Sequence, residues 1–497
     1  GKQSLHLSGI RVDTRAAAGK TGLWLLDPNN IDIISGSTVN VAGGPNFTSA
    51  GAGALDVADL QSALWSNNVS VTAIDNLSVS AAISDVSGNS LSLTAQNGTL
   101  SVNQPITLDD ANLTLTSGGG TVLGANIDLN AGALKIVSGS SISQSSATIT
   151  AASLEASASG GITLSGANNI SAIAASAGSG GVNYKGASSF TVGTVGSISG
   201  VSSSGGAVQL ESVGSIQVDQ VVNAGSGAVV LKSSGSFIGQ NSASTAAITA
   251  GTLTVQAVNG ALLTNDSNNV STFNATTSGT DMVSYWNAGS FAAGLISVGG
   301  SLELKINGGY LTQSGAVSTG GSGDTVTIVA GSGNVTLGNS GNNLHNLTVS
   351  SGGAVSVKNA SAIGVGPVSA GSFQLKSGGS ITQTATIGTT AGGVDIEAAA
   401  GSITSGSAVS ATGGVVRLSA SSGMTLTGPG ISSDAPGDAV SLILTGGLMS
   451  VSSPVTTSGS GGRWLAYVPS FTSHVFPTGW AFKQVNATYG STVLGSG

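Results

Sequence analysis

The sequence predicts an all-β solenoid, a parallel β-helix of about 20 to 24 coils, each rising about 4.8 Å. Three observations predict it. First, the chain repeats itself: Gly206-Ala207-Val208-Gln209-Leu210-Glu211-Ser212 returns 21 residues later as Gly227-Ala228-Val229-Val230-Leu231-Lys232-Ser233, and self-similarity at a short fixed period marks a solenoid. Second, Val208 and Leu210, or Val229 and Leu231, alternate with smaller or polar residues, the period of a strand with one buried face, and the Gly-Ser steps that follow read as turns. Third, Glu211 is replaced one coil on by Lys232, so an in-register stack sets opposite charges about 4.8 Å apart on the solvent side. A single coil cannot bury its apolar face alone, which predicts one cooperative body rather than several domains.

Composition narrows the alternatives. Charged residues are 7%, aromatics 4% and Gly 78 of 497; a disordered chain of that kind would lack the apolar periodicity seen here. A transmembrane β-barrel would need aromatic girdles and strands of about 10 residues, whereas these runs are shorter and aromatic-poor. The net charge is −8, with 13 Lys and Arg scattered singly, so no basic stripe exists to hold nucleic acid. The absence of Cys removes disulfides, thiolate metal sites and thiol catalysis. No run approaches the 18 apolar residues of a membrane helix, and no signal peptide is present. The chain opens at Gly1 without an initiator Met, as a processed or truncated product would.

Residues 1–75 are the least repetitive and read as the start of the β-helix with a capping helix. Gly22–Ile33 holds a strand, a turn at Asp27-Pro28-Asn29-Asn30, and a second strand. Asp56 can cap a helix over Val57–Trp65, with Leu60 and Leu64 one turn apart on its apolar face; packed on the first coils, that helix would shield an open sheet edge. Residues 76–460 read as regular coils. Over them recurs a longer motif, a Gln after an alternating strand (Gln144, Gln240, Gln313, Gln383) and later an Asn-Asn pair (Asn168-Asn169, Asn268-Asn269, Asn342-Asn343). Asn tolerates left-handed corners, and stacked Asn or Gln can hydrogen-bond between coils, a structural role that outweighs ligand contact. One break in the rhythm stands near Thr280–Trp286, where Tyr285 and Trp286 form a candidate ligand platform on a less regular segment. Residues 461–497 crowd Trp464, Tyr467, Trp480 and Phe482 with further aromatics. With Trp24 and Trp65 at the other end, they are the candidate assembly interface, and the segment reads as a cap or docking surface.

Chemistry is sparse. His6, His345 and His474 carry no metal-ligand spacing, and no metal or cofactor site is predicted. Gly19-Lys20-Thr21 lacks the first Gly of a phosphate loop, Thr14 standing there. Gly320–Asp324 matches only half of a calcium-binding nonapeptide. Asp109-Asp110 points its two carboxyls to opposite faces, with no nearby Lys or Arg, and reads as a turn rather than an acid–base pair. Asn-x-Ser/Thr sequons at Asn46, Asn68, Asn76 and Asn346 follow from composition. The chain is not expected to be an enzyme.

Leu23-Trp24-Leu25-Leu26-Asp27-Pro28-Asn29-Asn30-Ile31-Asp32-Ile33, the Gln-centred coils, Gly462-Arg463-Trp464-Leu465-Ala466-Tyr467 and Ala487-Thr488-Tyr489-Gly490 resemble the filamentous-haemagglutinin-like, two-partner-secreted exoproteins of Gram-negative bacteria. The resemblance spans nearly the whole chain and is sharper at its two ends than in the coils. It implies a right-handed parallel β-helix, exported through the outer membrane by a partner pore, serving as an adhesin or surface fibre. The family's amino-terminal secretion domain, with its Asn-Pro-Asn signatures, is missing. Three functions are expected in descending order: an extracellular or cell-surface structural protein, a rod forming fibres or matrix with other copies of itself; an adhesin binding glycans or surface proteins; and a polysaccharide-active enzyme.

Overall fold

The computed structural model describes residues 29–470, 473–477 and 489–490. Just over half of the chain, 55%, is strand, stacked in parallel as a β-solenoid of about 21 turns, with one short α-helix near the amino end. The expected fold class is therefore found. The chain divides into two compact units, residues 1–234 and 235–497, each built on the same rule.

In the first unit, three parallel ladders recur. One runs through Val69–Ala73, Leu91–Ala95, Leu113–Ser117 and Ala133–Ser138. A second passes through Leu77–Val79, Leu100–Val102, Thr121–Leu123 and Ile142–Gln144. The third passes through Ile83–Asp85, Ile106–Leu108 and Ile127–Asp128. Because side chains alternate across a strand, Val71, Leu93, Leu115 and Ile136 form one continuous buried column. Each such side chain contributes about 1.5–3 kcal/mol through burial. The repeat that announces the fold is in register, Val208 over Val229 and Leu210 over Leu231, with Lys232 Nζ 3.6 Å from Glu211 Oε2. The Gly-Ser corners pack backbone on backbone: a Cβ on Gly139 would lie 2.0 Å from the Gly118 carbonyl oxygen, so these turns require glycine.

The helix α1 (Val57–Leu64) forms as expected. Asp56 is extended and its carboxylate accepts from the Ala58 N–H at 3.2 Å, while Leu60 and Leu64 are buried. It packs beside the coils, the Leu64 carbonyl accepting from Asn89 Nδ2 at 2.8 Å. Before it, the long strand Asn46–Asp56 pairs with Ile31–Ile34 through its last residues and with Val69–Ala73 through its first. Val39–Ala42 adds to it in antiparallel fashion, bulged between Val39 and Val41 and left-handed at Asn40, features that discourage further strand addition.

Coil length is set at the corners. Val69, Leu91, Leu113 and Leu134 are spaced 22, 22 and 21 residues apart, but Val182 to Val208 takes 26. The excess is a small antiparallel hairpin, Thr194–Val195 with Ile198–Ser199.

In the second unit, parallel pairing continues through Arg463–Tyr467, a few residues beyond the expected limit at 460. The segment expected to be irregular near residue 280 is instead the regular strand Val283–Asn287, paired with Leu302–Ile306 over all five residues. Its alternation is intact because Val283, Tyr285 and Asn287 all point inward. The core accommodates the bulky ring by stacking it on Phe273, centroids 4.0 Å apart, and setting it edge-on to Phe291.

Candidate functional site

A Gln at the inward end of a short strand carries two donors and an acceptor into an apolar interior, where unpaired polar atoms are costly. Each of the first three motif Gln residues meets its demand with the first Asn of the following pair. Gln144 Nε2 donates to Asn168 Oδ1 at 2.7 Å, and Asn168 Nδ2 returns a bond to Gln144 Oε1 at 3.2 Å. Gln240 and Asn268 repeat this at 2.7 and 3.1 Å, and Gln313 pairs reciprocally with Asn342. The three Asn residues are 0% exposed. The clips also reach backbone: Asn168 Oδ1 accepts from Ile149 N, Asn268 Oδ1 from Ile248 N, and Asn342 Oδ1 from Val317 N, at 2.8–3.0 Å. Gln383 lacks an Asn partner and accepts instead from Ser405 Oγ at 2.6 Å.

Hydrogen bonding between coils thus explains the motif, whereas left-handed corners do not. Among the described residues the non-glycine positions with positive φ are Asn40, Asp110, Asn130 and Ser473, none of them in an Asn-Asn pair.

Each clip has an outward consequence that sequence reasoning missed. The Asn Nδ2 also donates to a carbonyl in the next coil, that of Lys185 for Asn168, Trp286 for Asn268 and Lys358 for Asn342, at 3.0–3.2 Å. All three side chains point outward, so each clip fixes the backbone under one bulky or charged surface residue. The signal lay in the spacing: the presented residue follows its Asn by 17, 18 or 16 positions. The three lie on separate strands, Val182–Gly186, Val283–Asn287 and Ala354–Asn359.

Their surroundings differ. Lys185 is exposed, in register with Glu211. Trp286 is half-buried; Lys305 Nζ lies 3.7 Å from its ring centre and its Nε1 donates to Glu303 Oε2 at 3.1 Å. Lys358 is exposed and in register with Lys376. Beside it, two adjoining surface grooves of about 460 and 630 Å³ share Gln374 and Asp395. There Arg417 Nη1 contacts Asp395 Oδ1 at 2.5 Å and Lys376 pairs with Glu397 at 2.9 Å. Burial lowers the Arg417 pKa, but the hydrogen bond and charge of Asp395, with Tyr489 and Glu397, outweigh it and hold the guanidinium above its ordinary value.

Of the expected platform, Tyr285 is corrected. It is fully buried and its hydroxyl donates to Asn287 Oδ1 at 2.7 Å, so only Trp286 reaches the surface. Burial pushes the Tyr285 phenol well above the usual range. Among the expected assembly residues, Trp65 follows α1 and is 67% exposed. Trp464 is half-buried on the strand Arg463–Tyr467, and Tyr467 meets Tyr489 edge-on at 5.3 Å. Trp24, Trp480 and Phe482 lie outside the described residues, as do His6 and Gly19–Thr21.

The residues that suggested chemistry are occupied elsewhere. Asp110 is left-handed and accepts from Ala131 N at 3.0 Å, while Asp109 accepts from Asn130 Nδ2 at 2.8 Å, the turn role expected of them. Asp324 closes its own turn onto the Gly321 N–H at 2.6 Å. His345 bonds Thr319 at 3.0 Å, and His474 Nδ1 accepts from Met449 N at 3.0 Å. Among the described residues, no group of three or more His, Asp or Glu is placed to hold a metal ion, and no helix is long and apolar enough to cross a membrane.

No curated protein and no solved structure matches the chain. Residues 110–178, 280–351 and 352–419 each match a family model described as repeats of unknown function (DUF5649), and each stretch holds one motif Gln, at 144, 313 and 383.

Proposed function

We propose that this solenoid is a non-enzymatic, extracellular or cell-surface structural protein, whose coils build fibres or matrix with other copies of the chain. The observation that carries this reading is that the motif Gln and Asn side chains satisfy one another between coils instead of converging on a cavity. Stacked pairs of opposite charge, Lys135 with Glu155, Glu211 with Lys232, Lys376 with Glu397 and Asp395 with Arg417, neutralise the surface as they stack. Asp109, Asp110 and Asp324 are engaged in turns, and His345 and His474 are hydrogen-bonded to Thr319 and to Met449 N. A lack of Cys suits a chain exported unfolded, and the resemblance to two-partner-secreted exoproteins points to an outer-membrane secretion partner. Electron microscopy of the native material tests assembly. Continuous fibres with an axial repeat near one chain length support it; isolated particles under every condition refute it.

A second reading, adhesion, draws on the three clip-held surface residues, since a buried network beneath an outward side chain is how a contact site is pre-organised. A glycan array read with Trp286→Ala tests the tryptophan among them, and unchanged or absent binding removes it.

A further inference from the structure

We propose that the face around Lys358 and Lys376 is a binding site for a carboxylate-bearing polysaccharide. The proposal deepens the adhesion reading and is independent of fibre assembly. It begins from an anomaly in the charge ladders. Among the described residues, the other charged pairs in register between adjacent coils are of opposite sign: Lys135 with Glu155, Lys185 and Lys232 with Glu211, Lys376 with Glu397, Asp395 with Arg417, and Asp438 with Arg463. Lys358 over Lys376 is the exception. Like charges directly opposite in a sheet are destabilising, and a rule kept along the chain and broken at one place marks a functional position.

The site is built as well as charged. Lys358 stands on a strand anchored from below at two points, by Asn342 Nδ2 on its own carbonyl at 3.0 Å and by Asn359 Oδ1, which accepts from Leu344 N at 2.7 Å. Among the described residues no ion pair involves Lys358, whereas Lys376 is shared with Glu397. One coil earlier, the residue after Leu337, which is in register with Val357, is Gly338, so no side chain stands there; a Cβ would meet only Thr336 Cγ2, at 4.0 Å. Both lysines line the larger groove with Ser340 and Glu397.

Its neighbours select the ligand. In the adjoining groove, Ser356 donates to Gln374 Oε1 at 3.0 Å and Gln374 Nε2 reaches Asp395 at 3.4 Å, beside Arg417. This row of hydroxyl, amide, carboxylate and guanidinium is suited to polyhydroxylated ligands, and the small residues Ala354, Ser372 and Gly393 are also in the groove's lining. Asp395 and Glu397 are already paired with Arg417 and Lys376, and the net charge of −8 disfavours a polymer as densely charged as nucleic acid. A uronate chain, which carries one carboxylate per sugar among hydroxyls and is less densely charged than a nucleic-acid duplex, satisfies both parts, one carboxylate bridging Lys358 and Lys376 while hydroxyls meet the polar row.

The test measures binding of the full chain to immobilised polygalacturonate, to neutral dextran and to duplex DNA, at low and high salt. Expected is salt-sensitive retention on polygalacturonate exceeding that on the other two. Lys358→Gln should weaken it about tenfold, equivalent to about 1.4 kcal/mol, whereas Lys232→Gln, which removes a lysine already paired with Glu211, should not. Melting of Lys358→Gln should match or exceed that of the native chain, since a like-charge neighbour is removed, and this separates a lost contact from a lost fold. Equal retention on dextran, stronger retention on DNA, no retention, or undiminished binding by Lys358→Gln would each overturn the proposal. Retention on dextran would leave adhesion standing, and fibres seen by microscopy would be unaffected by any of these outcomes.

Discussion

Replacing Asn342 by Leu, close in size but without the amide, tests whether the clips hold the coils together. In the native chain Asn342 accepts from Gln313 Nε2 and Val317 N, and donates to Gln313 Oε1 and to the carbonyls of Leu337 and Lys358. The side chain is 0% exposed, so water cannot replace it. Gln313 Oε1 keeps a bond from Asn339 N at 2.9 Å, but the Val317 N–H and Gln313 Nε2 lose theirs. Gln313 is half-buried and can turn its amide to water, so the cost rests on the buried Val317 N–H left unsatisfied, on the order of 1–3 kcal/mol. Solenoids open locally, coil against coil, so a single global midpoint is a poor measure. Backbone hydrogen exchange at Val317 is the direct one, and should accelerate by at least about fivefold at the low end of that range, every 1.4 kcal/mol being tenfold. Asn343→Ala is the control: its neighbour is only half-buried, and loses one surface bond to Ser361. Exchange at Val317 within about threefold of native in Asn342→Leu would mean the clip contributes less than about 1 kcal/mol, and the reasoning would fail.

Tyr184→Phe should be neutral or stabilising by about 1 kcal/mol, because its buried hydroxyl has no partner. Tyr285→Phe should cost about 1 kcal/mol, since that hydroxyl is bonded to Asn287; paired thermal melts decide. Glu155 is buried, which works to raise its pKa, but the hydrogen bond from Ser197 at 2.6 Å and the Lys135 ammonium at 3.1 Å hold it below the ordinary value of 4.5. Its folded pKa therefore lies below its unfolded one. The stabilisation, about 1.5–3 kcal/mol for a hydrogen bond to a charged group, is complete above about pH 4.5 and is lost as pH falls through the lowered value. Stability measured against pH should show this acid limb in the native chain and not in Glu155→Gln. Gly196→Ala should loosen the hairpin at 194–199, because Gly196 has φ +58° and a Cβ there would sit against Glu155 Oε2. Faster hydrogen exchange confined to the hairpin is the expected readout.

Much of the fold was legible because a solenoid writes its structure locally. Alternation in Val208–Ser212 and Val229–Leu231 names the buried face, the 21-residue offset names the neighbour, and Glu211 against Lys232 confirms the register. The helix at Val57–Leu64 was legible for the same reason, its cap and its apolar pair lying within one short window. The aromatic platform misled. Tyr285 and Trp286 are adjacent in sequence, but the pleat sends them to opposite sides, and an inward Tyr is accepted only because Phe273 and Phe291 on neighbouring coils make room. Reading residues 280–286 as irregular took bulk for a loss of pattern, although the period of two runs through it unbroken.

By itself, then, the sequence determined the solenoid and its parallel register, since each depends on near neighbours or on a repeat that aligns distant coils by similarity. What only the tertiary structure decided is which outward residues the buried amides hold, and that Lys358 and Lys376 stand in register. Those facts depend on how many residues each corner consumes. Spacing along one column ranges from 18 residues, Val355 to Phe373, to 24, Val416 to Val440, and a single residue gained or lost at a corner changes which side chains are stacked together.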